Sequence, residues 1–229
     1  CGRSGADPHG WRDVLRRFCR TVQEISERSG TGTDVTELVL RIRLRDRRRA
    51  GEMLAAHTAA CAFVREHAMV PVDAPYDIVM TTNGGYPLDQ NLYQAVKGIS
   101  AANEIVREGG AILVAAACED GIPDHGRYAA LLAEGGSPQG VLDMLARPGF
   151  SAPDQWQVQV QAQIQQRAAV YVYSDGLTEA QIRAALFEPC RDIGETVAAL
   201  QKQYGPQARI CVMPEGPMTI PYLLQPDLA

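Results

Sequence analysis

Three polar side chains close together in the sequence could bind an anion: Tyr93, Gln94 and Lys97. Tyr93 and Lys97 are four residues apart, which places them on one face of a predicted helix. They also lie near its N-terminus, where backbone N–H groups and the helix dipole favour negative charge. This spacing indicates a site for a carboxylate or a phosphate. It also fits a simpler interpretation, with Lys97 solvated and Tyr93 partly buried.

A glycine-rich loop precedes these residues and could also approach a ligand. The pair Gly84-Gly85 allows close backbone approach or positive φ angles. The loop over residues 83–90 has neither the Gly-x-Gly-x-x-Gly spacing nor a Walker pattern, so it is only a weak signal for nucleotide binding. A second loop, over residues 118–124, follows the next predicted strand.

Regular elements must position these loops, and helices and strands alternate from residue 51 onwards. Asp89 or Asn91 is the expected cap of the helix that carries Lys97, and Gly109-Gly110 is expected to end it. Glutamine at every second position of residues 155–166 imitates a strand, but the composition favours a helix. The sequence predicts helices over residues 52–67, 91–107, 125–134, 138–146, 155–166, 178–186 and 192–204, and strands over residues 76–82, 111–117, 170–173 and 209–213.

The order of these elements predicts the fold class. The strands are continuously apolar and alternate with helices, which is typical of right-handed βαβ units in a sheet covered on both faces. The sequence therefore predicts an α/β fold, a three-layer domain with a parallel sheet. Ligands are expected at the carboxyl ends of its strands. In the helix over residues 52–67, Leu54, Ala55, Cys61, Ala62 and Val64 are expected to face inward.

Charge divides the chain into two parts. Residues 1–50 hold twelve arginines and a net charge of +5, whereas residues 51–229 carry −10. We expect an Arg-rich segment, helical or poorly ordered, ahead of one α/β domain. A basic segment could bind nucleic acid, but it lacks interleaved aromatic residues and the rest is acidic, so this partner is not favoured. Only two lysines occur, Lys97 and Lys202.

Composition excludes several other classes. The longest uncharged apolar run, residues 110–118, is too short to cross a membrane. No secretory segment opens the sequence, so a cytoplasmic location is expected. The six cysteines are scattered without zinc-site spacing and are expected to be free, mostly buried thiols.

Several stretches resemble one known family. YDIVMTTNGGYPLDQNLYQAVKGISAANEIVREGGAILVAAACEDG, over residues 76–121, closely resembles the C-terminal domain of the nickel-dependent lactate racemases. So do DQWQVQVQAQI (residues 154–164), VYVYSDGL (residues 170–177) and VMPEGPMTIPYLL (residues 212–224). The resemblance covers residues 51–224, and residues 1–50 do not share it.

The resemblance implies a racemase of lactate or another 2-hydroxy acid that acts by hydride transfer. It implies a nickel-pincer nucleotide as cofactor. By resemblance, Tyr93, Gln94 and Lys97 line the substrate cleft, and Lys97 is the catalytic residue that meets the substrate carboxylate or the developing alkoxide. Trp156 is the residue implied to contact the cofactor.

The family's N-terminal domain carries the cofactor-tethering lysine, the nickel-binding histidine and an acid/base pair of histidines, and no counterpart is found here. His9, His57, His67 and His125 do not match that set, and no metal ligand is assigned. The chain alone is therefore expected to be inactive and to need the N-terminal domain as partner. An alternative is a non-catalytic domain that binds small anions or a partner protein.

Overall fold

The computed structural model describes residues 47–224, with side chains from residue 53 onwards. The chain divides after Met69 into two compact units. In the first, the described element is helix α1 (Arg47–His67). The rest of the Arg-rich segment lies outside the described residues, and the domain boundary near residue 51 stays a prediction.

The expected inward face of α1 is wrong. All five residues assigned to it, Leu54, Ala55, Cys61, Ala62 and Val64, are exposed. The less exposed positions of α1 are instead Met53, Ala56, Ala60 and Phe63. They recur at intervals of three and four residues, so the sequence analysis assigned the inward face to the wrong side of the helix.

The second unit begins at Val70, one residue after the start of β1, and contains the remaining elements. Its helices are α2 (Leu92–Asn103), α3 (Tyr128–Gly135), α4 (Pro138–Leu145), α5 (Gln155–Arg167), α6 (Glu179–Ala184) and α7 (Ile193–Tyr204). The strands are β1 (Met69–Val72), β2 (Tyr76–Thr82), β3 (Val106–Ala115), β4 (Ala169–Tyr173), β5 (Glu188–Pro189), β6 (Ile210–Met213) and β7 (Ile220–Leu223), with a 3-10 turn over Gly216–Met218.

Five strands form one parallel sheet in the order β5-β4-β3-β2-β6, and β1 pairs with β7 separately. The α/β fold is therefore confirmed. The chain moves outward from β2 to β5 and then returns to place β6 on the other side of β2. This reversal is a topological switch point, where ligands of such sheets bind.

Hydrophobic residues of the sheet point alternately to two cores. Val79 and Ile112 belong to a large core that they share with helices α2 to α5. Their neighbours Ile78 and Ala111 face the other side, where Leu200 of α7 covers them. The sheet is therefore buried on both faces, as a three-layer domain requires.

The expected end of the Lys97 helix is wrong. Helix α2 ends at Asn103, and the glycines expected to stop it, Gly109 and Gly110, lie inside β3. The register between β2 and β3 shifts there. Gly109 has φ +70°, and a Cβ on Gly110 would lie 2.8 Å from the Asp77 carbonyl oxygen. The glycines therefore permit an irregularity in the strand instead of ending a helix.

Helix α5 confirms the helical interpretation of the glutamine-rich stretch. Glutamines four residues apart share its inner face: Gln157 donates to the Tyr93 carbonyl at 2.6 Å, and Gln161 donates to the Ala185 carbonyl at 2.8 Å. The side-chain amide of Gln165 likewise donates to the carbonyl of Leu186. The alternating pattern thus contains a helical repeat whose amides satisfy buried and part-buried carbonyl groups.

Two glycines enclose the carbonyl group of Thr82 at the end of β2. A Cβ on Gly98 of α2 would lie 2.1 Å from this oxygen, and a Cβ on Gly216 would lie 2.0 Å from it. The Thr82 hydroxyl also donates to the Pro214 carbonyl at 2.7 Å. Helix α2 and the chain after β6 therefore approach β2 as closely as backbone atoms permit.

Asp77, near the amino end of β2, joins this strand to β3 and to the residue that precedes β6. Its Oδ1 accepts from Arg107 Nε at 2.5 Å, and its Oδ2 accepts from the backbone N–H of Arg209 at 2.7 Å. The hydrogen bond from Arg107, followed by the one from Arg209, lowers the pKa of the Asp77 carboxyl. The lowered pKa makes Asp77 a source of acid sensitivity far from the loops.

Two further expectations concern the described residues alone. The four described cysteines, Cys61, Cys118, Cys190 and Cys211, are free thiols. Between residues 47 and 224, no helix combines the length and the apolar character that crossing a membrane requires. The cytoplasmic location stays a prediction.

We expect Gly98→Ala to lower the free energy of unfolding by roughly 1–3 kcal/mol, because the new methyl group overlaps the Thr82 carbonyl. Urea unfolding followed by circular dichroism measures this change. The control is Gly194→Ala at an exposed position of α7, where the added Cβ meets only the Asp192 side chain and helix propensity favours alanine. Equal midpoint shifts in the two variants would contradict the prediction.

We expect Asp77→Asn to lower stability at pH 7 and to flatten its loss in acid. A lowered folded-state pKa stabilises the protein above the unfolded-state pKa of about 3.9, and this contribution disappears as the pH falls through the folded-state value. Urea unfolding between pH 7 and pH 2 tests this, with Asp124→Asn as an exposed control. The same acid slope in Asp77→Asn and the parent would refute the role of Asp77.

Candidate functional site

The carboxyl ends of β2, β3, β4 and β6 surround a pocket of about 350 Å³. This is the edge of the sheet where the sequence predicts ligands. The pocket is lined by Thr82, Gly84, Gly85, Asp89, Ala115, Ala116, Ala117, Tyr173, Asp175 and Pro214. Two carboxylates and no basic side chain are among these residues. None of the four predicted site residues lines it.

The start of α2 is held by residues of two different loops. Asn91 is the cap, with Oδ1 accepting from Gln94 N at 3.1 Å. Asp89, the other expected cap, instead accepts from Ala117 N at 3.0 Å through Oδ2. Its Oδ1 is buried without a hydrogen-bond partner. Asp89 therefore ties the loop after β3 to the start of α2.

The N-terminus of α2 offers less to an anion than the sequence indicates. Leu92 N already donates to the Gly121 carbonyl at 3.1 Å, and Gln94 N donates to Asn91. Since these N–H groups are engaged within the protein, an anion at this end of α2 depends mainly on side chains.

Lys97 and Gln94 form the polar part of the predicted site. Lys97 is exposed, and its Nζ donates to Gln94 Oε1 at 2.6 Å. The bond limits the positions of the ammonium group while leaving its other two hydrogens available. The pair can therefore present a positioned cation to a carboxylate or phosphate.

The aromatic part of the site joins α2 to α5. The rings of Tyr93 and Trp156 meet edge to face with centroids 5.8 Å apart, and Tyr93 meets Tyr128 similarly at 5.4 Å. Burial, and then the charge of Asp154, raises the pKa of the Tyr93 hydroxyl. Trp156 keeps 55 % of its surface exposed. One face of Trp156 is therefore available to a ligand or partner.

Two buried residues that support this cluster were not identified from the sequence. Gln157 is 2 % exposed and holds the Tyr93 backbone. Tyr128 donates its hydroxyl hydrogen to Gln161 Oε1 at 2.6 Å, and burial raises the pKa of that hydroxyl. The four-residue spacing of the glutamines on an otherwise apolar helix face could have identified Gln157; no local pattern indicates Tyr128.

The histidines do not form a metal site within residues 47–224. His57, His67 and His125 are exposed, and His125 lies 3.6 Å from Asp124. No group of three or more His, Cys, Asp or Glu side chains that could hold a metal ion occurs among these described residues.

Comparisons with known proteins converge on one family. Residues 72–220 match the family model described as the lactate racemase C-terminal domain. The chain is 37 % identical over 169 residues to a lactate racemase of Thermoanaerobacterium thermosaccharolyticum and 39 % identical over 170 residues to one of Lactiplantibacillus plantarum. Each match covers 73 % of this chain and 39 % of the relative.

A solved structure gives the same result. The lactate racemase apoprotein of Thermoanaerobacterium thermosaccharolyticum superimposes with a TM-score of 0.67 and 35 % sequence identity. The match covers 72 % of this chain and 40 % of that one. The chain therefore spans about two fifths of the length of the relatives it matches.

We expect Gln157→Met to lower the free energy of unfolding by about 1–3 kcal/mol, because the part-buried Tyr93 carbonyl loses its donor. The emission of Trp156 should also change, since Gln157 joins the two helices that carry the ring pair. Urea unfolding and fluorescence in a Trp11→Phe background measure both effects. Gln159→Met, on the exposed side of α5, is the matched control. The same stability and the same Trp156 emission in Gln157→Met and Gln159→Met would refute the supporting role of Gln157.

Proposed function

The chain belongs to the lactate racemase family, and on that basis we propose that it is the C-terminal domain of an enzyme that racemises lactate or a related 2-hydroxy acid. The family match over residues 72–220 supports this proposal. The comparisons do not favour a domain that only binds anions. The observation that carries the proposed chemistry is the exposed Lys97 ammonium, held at 2.6 Å by Gln94 within the matched segment.

Lys97 is the catalytic residue of this proposal. Its ammonium group forms a charge-assisted hydrogen bond with the substrate carboxylate or with the oxygen that becomes an alkoxide. Gln94 positions the ammonium group, and Tyr93 forms the adjoining wall of the cleft. Because burial raises the pKa of Tyr93, this side chain serves as a neutral wall and hydrogen-bond partner.

The family's cofactor, a nickel-pincer nucleotide, fits this chain only in part. Residues 47–224 contain no ligand set for the metal, so we assign the nickel ligand, the tethering lysine and the acid/base histidines to an N-terminal domain. The exposed face of Trp156 suits contact with a ring or phosphate of the nucleotide. When bound, the nickel-pincer nucleotide is expected to supply the chemistry of hydride transfer.

An N-terminal domain is therefore the partner that completes the enzyme. The matched relatives are more than twice as long as the segment they share with this chain. We expect the chain alone to show no racemisation. A fusion of the N-terminal part of the Thermoanaerobacterium relative to this chain, loaded with cofactor, is the protein in which activity is measured.

In that fusion we expect Lys97→Ala to lower kcat/KM for lactate at least about tenfold, since a charge-assisted hydrogen bond contributes roughly 1.5–3 kcal/mol. Chiral analysis of the L- to D-lactate conversion measures the rate. Lys202→Ala, which removes the other lysine at an exposed position of α7, should keep the parent rate. A Lys97→Ala rate within about twofold of the parent would exclude Lys97 from catalysis.

A further inference from the structure

The pocket at the carboxyl ends of β2, β3, β4 and β6 contains a buried carboxylate with an unused oxygen. Asp89 lines the pocket and is only 7 % exposed. Its Oδ2 accepts from Ala117 N at 3.0 Å, but within residues 47–224 its Oδ1 has no hydrogen-bond partner. A buried carboxylate oxygen without a partner is costly, because it has given up the hydrogen bonds of water. A ligand that brings a donor to this oxygen would remove that cost.

Asp175 brings a second negative charge to the same pocket. Its side chain is exposed, and the Tyr173 hydroxyl lies 3.5 Å from its Oδ1. Neither Asp89 nor Asp175 forms an ion pair with any residue in the described part of the chain. The residues that line the pocket include no basic side chain. The two carboxylates therefore lack a positively charged partner.

The charges and the backbone of the pocket disfavour an anion. Gly84 N, in the glycine-rich loop, already donates to Thr82 Oγ1 at 3.0 Å, and Ala117 N donates to Asp89. An anion here would meet two carboxylates and would find neither of these N–H groups free. The pocket thus selects against phosphate and against the carboxylate of lactate, so its chemistry is the opposite of that at Lys97.

The size and the walls of the pocket favour an organic cation over a metal ion. Its volume of about 350 Å³ is that of a small-molecule site and far exceeds that of a bare ion. Among residues 47–224, no group of three or more His, Cys, Asp or Glu side chains could hold a metal. The ring of Tyr173 can attract a cation, and small side chains leave room for a hydrocarbon chain. These small or apolar wall residues are Ala115, Ala116, Ala117 and Pro214.

We propose that this pocket binds a small organic cation, a primary ammonium group on a short hydrocarbon chain. The ammonium group donates a charge-assisted hydrogen bond to Asp89 Oδ1, and the charge of Asp175 attracts it from the solvent side. The hydrocarbon part packs against the alanines and the ring of Tyr173. This site goes beyond the proposed function and does not depend on it, because it uses none of Tyr93, Gln94 and Lys97.

Isothermal titration calorimetry of the chain with n-butylammonium chloride tests the proposal, in a buffer free of other amines. We expect a dissociation constant of about 1 mM or lower, which is attainable for so small a ligand. The uncharged analogue n-butanol should bind at least about tenfold more weakly, since it lacks the charge. The midpoint of thermal unfolding should rise with n-butylammonium concentration, as for any ligand of the folded state.

Three variants that each remove one negative charge locate the binding. Asp89→Asn should weaken n-butylammonium binding at least about tenfold, because a hydrogen bond to a charged group is lost. Asp175→Asn, at an exposed position, should weaken it about threefold. Asp124→Asn is the matched control, since Asp124 is exposed and does not line the pocket, and its affinity should stay within about 1.5-fold of the parent. Circular dichroism checks that each variant is folded.

Four results would overturn the proposal. The first is the absence of both heat and a midpoint shift at about 10 mM n-butylammonium, a concentration well above the expected dissociation constant. The second is equal affinity for n-butanol, and the third is equal weakening by Asp175→Asn and Asp124→Asn. Neither of these two comparisons needs a folded Asp89→Asn protein. The fourth is binding of Mg²⁺ or Ca²⁺ more tightly than n-butylammonium, which would identify a metal site instead.

Discussion

The arrangement of the second unit depends on how closely backbone can approach the last carbonyl of β2. The Thr82 oxygen lies against Gly98 and Gly216, where a methyl group at either position would overlap it. Glycine Cα–H groups then contact the carbonyl directly. Since the contact admits no side chain, the distance of α2 from the sheet is set by backbone geometry. That distance in turn determines how far from the sheet α2 holds Tyr93, Gln94 and Lys97.

Local patterns in the sequence predicted most of the second unit, because hydrophobic periodicity and caps act over a few residues. Helix α4, with Ser137 as cap and Pro138 at its start, is an example. The end of α2 was mispredicted because a glycine pair such as Gly109-Gly110 occurs both at the ends of helices and at irregularities in strands. Only the pairing of β2 with β3, more than 25 residues apart in sequence, shows which role applies.

For the candidate site too, local patterns predicted some placements, and contacts between distant segments decided the others. The four-residue spacing of Tyr93 and Lys97 predicted a shared helix face, and α2 contains both. Trp156 came from resemblance alone, since its contact with Tyr93 joins two helices that no local pattern connects. The sequence also could not show that an N–H group at the start of α2 is already engaged within the protein. The carbonyl that occupies Leu92 N belongs to Gly121, in a different loop.

The glutamine face of α5 has a consequence for how the domain responds to acidity. An amide carries no ionisable proton, so the bonds from Gln157 to Tyr93 and from Gln161 to Ala185 are the same at every physiological pH. The phenols packed beside them have raised pKa values and keep their protons. The glutamine amides and the phenols that surround Trp156 therefore do not change charge at physiological pH. A change in pH can affect this part of the domain only through other ionisable groups.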